Sequence, residues 1–159
     1  MAKADAHSTH EPTIENRKAR HDYHIDDTLE CGMRLTGTEI KSVRTGQVSL
    51  GEGFVEVRES PPALILRGVH VAEYAPAGTA RQHDPLRPRE LLAHGREIRK
   101  LFEHTRDRGA TLVPLKIYFV RGRAKVLVGL ARGKKQFDKR ADIAKREAQR
   151  DIDRAMKRR

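Results

Sequence analysis

Period-two apolar runs, turn-forming residues between them and a cationic end predict a mainly β protein with helices. The expected architecture is an antiparallel Greek-key barrel of the oligonucleotide-binding (OB) type, followed by a basic C-terminal tail. The clearest run is a hairpin: Leu115, Ile117 and Phe119 alternate in one strand, Ala124, Val126, Val128 and Leu130 in the next, and Arg121-Gly122-Arg123 is the loop. Five or six such short strands, partly apolar on both faces, are best closed into a barrel, which also removes exposed edges.

In chain order, residues 1–13 are polar and aperiodic and read as a disordered leader. Order begins near Ile14, and residues 14–132 form the barrel. Segment 21–37 reads as a long bent strand, with Tyr23, Ile25, Leu29 and Cys31 on odd positions and a break around Asp26-Asp27. TGTEIKSVRTG (36–46) predicts a short helix, with Ile40 and Val43 three apart and Gly37 and Gly46 as brackets. Strands follow at 53–59 and 63–74, joined through Ser60-Pro61-Pro62. Residues 75–88 are a loop rich in Pro, Gly and Ala. Residues 88–104 predict a helix from Leu91, Ile98 and Phe102, with Gly109 ending the helical region.

The tail, residues 133–159, has good helix formers but a poor stripe. Ala141, Ala144, Ala148, Ile152 and Ala155 share a face, and Ile143 lies on the opposite side from Ile152. Burying alanines returns little against an ordering cost of about 1–2 kcal/mol per residue. The tail is therefore expected to be disordered or fluctuating alone and helical when bound.

Charge points to the partner. The chain carries 33 Lys/Arg and 22 Asp/Glu, a net +11. Residues 121–159 hold 15 of the basic residues and 5 of the acidic ones, +10, which leaves 18 against 17 in residues 1–120. Clustered cations suit phosphate neutralisation with counterion release, so the expected partner is a nucleic acid.

Other classes fare worse. One cysteine, Cys31, permits neither an intramolecular disulfide nor a CxxC zinc site. No apolar run is long enough for a membrane helix, and residues 1–13 lack a signal-peptide core, so the expected place is the cytoplasm. GLARGKK (129–135) approaches a phosphate-binding loop, but only three residues separate Gly129 and Gly133, and Lys135 stands where a metal-binding hydroxyl belongs. His7/His10 and His21/His24 have metal-like spacing, but the first pair lies in the expected disordered leader and the second on a strand, where residues three apart face opposite sides. His83-Asp84-Pro85 reads as a turn with Asp84 bonding locally. No catalytic cluster is recognisable, and neither a cofactor nor an enzymatic activity is expected. Glu30 and Glu39 stand among basic neighbours, either as surface ion pairs or as acceptors for base and ribose donors. Phe137 is isolated within the basic segment, where stacking on an exposed base is the sharper role. A ribosomal or assembly protein and an RNA-modifying enzyme or nuclease are the competing readings.

NRKARHDY (16–23), GTEIKSVR (37–44), HDPLRPRELLAH (83–94) and GLARGKKQFDKR (129–140), in this order, resemble the SmpB family of SsrA-binding proteins. The likeness covers nearly all of residues 14–159. It implies a barrel that grips the tRNA-like domain of transfer-messenger RNA, enters stalled ribosomes during trans-translation, and places its tail in the empty messenger channel by the small-subunit decoding centre. Elongation factor Tu within the delivery complex and a monomeric state are further implications. On this resemblance Glu30, Leu92 and His94 belong to the RNA-binding face. Arg17, Lys18, His21 and Tyr23, then Lys41, Arg44 and Lys125, are the other expected RNA contacts. The ribosome-binding set is Gly133, Lys134, Lys135, Phe137, Asp138, Lys139 and Arg140, with Met156 as distal contact. His94 stands where many members carry Asn, and Phe137 where many carry His, so stacking carries over to Phe137 but imidazole titration does not. Ala155 replaces a bulky aliphatic of some relatives, which predicts weaker distal anchoring.

Overall fold

The structure is a computed structural model that describes residues 11–106 and 109–157. Strand β1 (Ile14–Glu15) leads through Asn16 into helix α1 (Arg17–Asp22) and the long strand β2 (Tyr23–Met33). Helix α2 (Gly37–Arg44) and strands β3 (Val48–Ser49), β4 (Phe54–Arg58), β5 (Ala63–Arg67) and β6 (His70–Val71) follow. A loop with two short 3-10 turns, Ala75–Ala77 and Thr79–Arg81, leads to β7 (Arg89–Leu92) and helix α3 (Gly95–Thr105). The chain ends in β8 (Ala110–Val120), β9 (Arg123–Gly133) and helix α4 (Gln136–Lys157).

Seven strands form one antiparallel sheet in the order β1-β8-β9-β2-β7-β5-β4, with β3 and β6 as a separate pair. The mainly β, OB-like class holds, but the barrel does not close by hydrogen bonding: β1 and β4 are ladder edges, and β4 instead packs against β8. The main core lies inside the curl, where Cys31, Val55, Leu64, Leu66, Leu91, Ile117, Val126 and Val128 meet Ile98 and Leu101 of α3. Ala19 of α1 covers the other face with Val113, Leu115 and Ala131. This double covering explains why β8 and β9 look apolar on both sides.

The sequence reading needs four corrections. The helix expected over 88–104 is a strand and then a helix. Residues 89–92 alternate buried and exposed between β2 and β5, a period-two demand that overrides the helical spacing of Leu91 and Ile98. Residues 17–22, unassigned or read as strand, are helical because the Asn16 side chain accepts from the Ala19 amide at 3.0 Å. The same buried side chain donates to Leu50 and Pro114 carbonyls at 3.0 and 2.9 Å. The strand expected over 63–74 breaks at Gly68, whose φ of 68° and close approach to the Glu52 carbonyl exclude a side chain. The last hairpin turns on two residues, not three: Val120 pairs with Arg123, and Arg121 and Gly122 both have positive φ. The helical form expected of the tail is present in α4. Its interior lacks Gly and Pro, and Asp138 in its first turn accepts from the Lys135 amide at 3.3 Å. It nonetheless buries no residue.

Other expectations hold locally. The bend at Asp26-Asp27 is a register shift between Ile25 and Asp27. Thr36 and Glu39 cap α2 reciprocally. Asp84 accepts from the Leu86 amide at 2.9 Å within a turn. Residues 1–10 of the expected leader lie outside the described residues.

Candidate nucleic-acid interface

Register brings together residues far apart in sequence. Cross-strand pairing sets Glu30 opposite Leu127 and Gly32 opposite Lys125, while Gly32 also faces Leu92. Because β7 buries Arg89 and Leu91, Leu92 must point outward, and it stays half exposed. Glu30, Leu92, His94 and Lys125 thus line one surface depression of about 460 Å³. It adjoins a second hollow of about 430 Å³, with Gly32, Leu35, Ile40 and Gly122 on its walls and Leu92 and Lys125 shared.

The chemistry of this groove is amphipathic. Tyr118 donates its hydroxyl to Glu30, and the Lys125 ammonium lies 3.4 Å from the same carboxylate. The Tyr118 hydrogen bond and Lys125 lower the Glu30 pKa, while burial and Glu30 push the Tyr118 phenol up to about 12. Glu30 is therefore an anion at neutral pH. Its remaining lone pairs can take base N–H or ribose O–H donors. The His94 amide donates to Glu97 at 2.9 Å, which fixes the start of α3 at the groove's rim. Leu92 supplies the apolar surface.

Two cations of α2 lie over aromatic rings, and Arg44 also touches the last hairpin. Arg44 lies 5.9 Å from the Phe119 ring centroid and donates to the Gly122 carbonyl at 3.2 Å, and Lys41 sits 5.0 Å over Tyr74. The other expected RNA residues gather elsewhere, around α1. Arg17 is exposed, Lys18 pairs with Glu52 at 2.5 Å, His21 lies 2.9 Å from Asp22, and Tyr23 packs on the small α1 core. The sequence-predicted set thus splits into a groove group and an α1 group.

The tail begins beside the α1 group, since Gly133 pairs with Tyr23. Lys134 is mostly enclosed, while Lys135 and Arg140 are exposed. Lys139 reaches Asp22 at 3.0 Å, and Asp138 lies 3.6 Å from His24. Phe137 is 65% exposed and Met156 68%, so neither has an apolar seat on the body.

Glu39 is not a surface acceptor. It is fully buried, with Arg89 at 2.9 Å and Arg87 at 3.0 and 2.6 Å, and it takes the Thr36 amide at 2.8 Å. Arg89, equally buried, also donates to the Val69 and Pro85 carbonyls at 2.9 and 3.1 Å. Burial alone would raise the Glu39 pKa, but Arg87, the Thr36 amide and Arg89 outweigh it and hold it at about 2. Buried His83 adds contacts to Thr38 and the Val71 carbonyl at 2.9 and 3.1 Å. This network ties the 72–88 loop to α2 behind the groove. Sequence reasoning also missed Tyr118, the partner of Glu30. Its place in the alternation of β8 was the available signal.

Cys31 is buried, and desolvation pushes its thiol up to about 12. Among the described residues, no three His, Cys, Asp or Glu side chains are grouped to hold a metal, and no helix is long and apolar enough to cross a membrane.

A family model described as SmpB protein matches residues 13–158. The chain belongs to the SmpB family. An SsrA-binding protein of Thermobifida fusca is 54% identical over 145 residues, 91% of this chain and 89% of that protein. Those of Chloroflexus aggregans and Staphylococcus epidermidis are 56% and 51% identical, each with about nine tenths of both chains covered. A solved chain from "tmRNA-SmpB: a journey to the center of the bacterial ribosome" matches with a TM-score of 0.66 and 48% identity, over 79% of this chain and 86% of that one. The SmpB likeness spans both the groove and the tail.

Proposed function

We propose that this SmpB-family chain binds SsrA RNA, the transfer-messenger RNA, by its tRNA-like domain and delivers it to stalled ribosomes. The observation that carries this reading is the shared identity above half, over nine tenths of the chain, with proteins named for SsrA binding. The chemistry supports it. Residues 14–132 act as the RNA-binding unit. The groove of Glu30, Leu92, His94 and Lys125 takes looped, unstacked RNA, with Lys41 and Arg44 on neighbouring phosphates. Arg17, Lys18, His21 and Tyr23 make a second contact line.

Residues 133–159 act as the ribosome-sensing unit. A messenger channel is narrow and lined with phosphate, and a thin cationic helix occupies it only when messenger is absent. Vacancy is thus read by exclusion. Phe137 stacks on a decoding base, and Met156 touches further along. The protein works in the cytoplasm, as a monomer, in a delivery complex that includes elongation factor Tu. It does no bond chemistry of its own.

The test is to capture the full-length protein from lysate and sequence the bound RNA. One dominant RNA with a tRNA-like end is expected. Stoichiometric ribosomal RNA with no such species would instead mark a resident ribosomal protein.

A further inference from the structure

We infer that Tyr118 is a positioning residue for RNA recognition: its hydroxyl holds the Glu30 carboxylate in the orientation in which the groove can use it. The inference rests on the reading that the groove takes RNA, and it gives a role to a residue that the sequence reading did not assign.

On the outer face of the sheet, cross-strand pairing builds two adjacent rows. Tyr118 of β8, Lys125 of β9, Gly32 of β2 and Leu92 of β7 form one. Lys116, Leu127 and Glu30 form the next. Gly32 carries no side chain, so the first row has a gap between Lys125 and Leu92, and the hollow opens there. Glu30 lines the depression that adjoins it. Tyr118 reaches Glu30 across β9. Strands two apart lie about 10 Å from each other, so only long side chains that lean over the strand between can meet. The Tyr118 hydroxyl donates to Oε2 of Glu30, and the Lys125 ammonium lies 3.4 Å from Oε1. Lys116 in turn sits over the Tyr118 ring, 4.9 Å from its centroid.

A carboxylate in an RNA groove helps only under constraint. Turned toward phosphate it repels, whereas turned toward a base N–H or ribose O–H it accepts. The Glu30 side chain is 45% exposed, so without partners it would sample both directions, and freezing it on binding would cost affinity. With one oxygen on Tyr118 and the other beside Lys125, the carboxylate is set before RNA arrives. The ligand then meets only the lone pairs left free. Phenylalanine at this position would keep the ring, its packing and its contact with Lys116, and lose the hydroxyl alone. Tyr118→Phe therefore separates positioning from bulk.

The experiment uses the full-length protein and the tRNA-like domain of transfer-messenger RNA as probe. Affinity should fall about tenfold in Tyr118→Phe, the scale of a hydrogen bond to a charged group, with the melting temperature little changed. In a Glu30→Ala background, where no carboxylate remains to be positioned, the same change should cost less than about twofold, whereas in a Leu92→Ala background it should again cost about tenfold. Separately, the Glu30 carboxyl can be followed by carbon-13 NMR and assigned by its loss in Glu30→Ala. It should titrate higher in Tyr118→Phe, toward the ordinary 4.5, because the Tyr118 hydrogen bond is the largest cause that lowers it. Undiminished affinity in Tyr118→Phe, or an unmoved Glu30 titration, overturns the inference. So does an equal loss with and without Glu30, which would mean that the hydroxyl meets RNA itself. A parent protein that does not bind the tRNA-like domain overturns the function proposed above, and the titration still judges whether Tyr118 holds Glu30.

Discussion

Strand β9 and helix α4 are separated by only Lys134 and Lys135, and they are held in opposite ways. β9 is hydrogen-bonded along both edges, to β2 and β8, and buries Ala124, Val126, Val128, Leu130 and Ala131. α4 satisfies its backbone internally and buries no side chain over 22 residues. Each large aliphatic in β9 contributes on the order of 1.5–3 kcal/mol by leaving water. α4 has only propensity, a cap and the ion pairs at its root, and it lacks the tertiary packing that supplies most helical stability in proteins. The body's order is independent of any partner, whereas the tail's local stability is low enough for a partner to govern it. The function proposed above divides along the same line, with shape recognition in the body and sensing in the tail.

The largest expected effect lies in the body. Glu39→Ala leaves buried Arg89 without its carboxylate and should cost about 3–5 kcal/mol in denaturant unfolding, as removing one partner of a buried pair does. The pH profile has a fixed sign. The folded Glu39 pKa of about 2 lies below the ordinary 4.5, so its contribution is complete above about pH 5 and is lost as pH falls from 4.5 toward 2. The steep acid limb should be absent in Glu39→Gln. An unaltered limb there would mean that other carboxylates set acid stability.

Next comes the cut between the regions. Truncation after Gly133 should leave affinity for the tRNA-like domain within about threefold and lower tagging by about a hundredfold or more, roughly 2.7 kcal/mol. Equal loss of both would erase the division of labour. Its mirror is Leu92→Asp, which puts a charge into the groove. RNA affinity should fall about tenfold or more, while the melting temperature barely moves because Leu92 is half exposed.

How much of this could be read from the sequence follows the same division. The tail was legible in its charge, its thin alanine stripe and its solitary Phe137, because those features need no tertiary partner. The last hairpin was legible because its alternation and its glycine are local. β7 was not: Arg89-Glu90-Leu91-Leu92 fits a helix as well as a strand, and only the open edges of β2 and β5 decide. Glu39 was misplaced for a related reason. Its partners Arg87 and Arg89 are 48 and 50 residues away, so its burial is invisible until the loop folds over α2. In the groove, Glu30, Leu92 and His94 were named through family resemblance, and only register shows why they meet.

Phe137 sharpens the tail side. It is 65% exposed with no apolar seat, so Phe137→Ala should leave the melting temperature unchanged. Tagging should fall by a factor equivalent to about 1–3 kcal/mol of base stacking, and Phe137→Tyr, which keeps a π face, should retain most of it. Equal activity of the two variants would argue for a contact other than stacking.

The smallest effect tests whether α4 is energetically separate from the body at all. Ala148→Gly in mid-helix removes about 1 kcal/mol of propensity and no tertiary contact. The helical circular dichroism signal should drop, while the body's unfolding midpoint stays within about 1 °C. If α4 packed on the body along its length, the glycine would be felt in the cooperative transition and the midpoint would move by several degrees. A silent midpoint with a weakened helix is the result that a tail fastened only at its root, through Lys134, Lys139 and Asp142, must give.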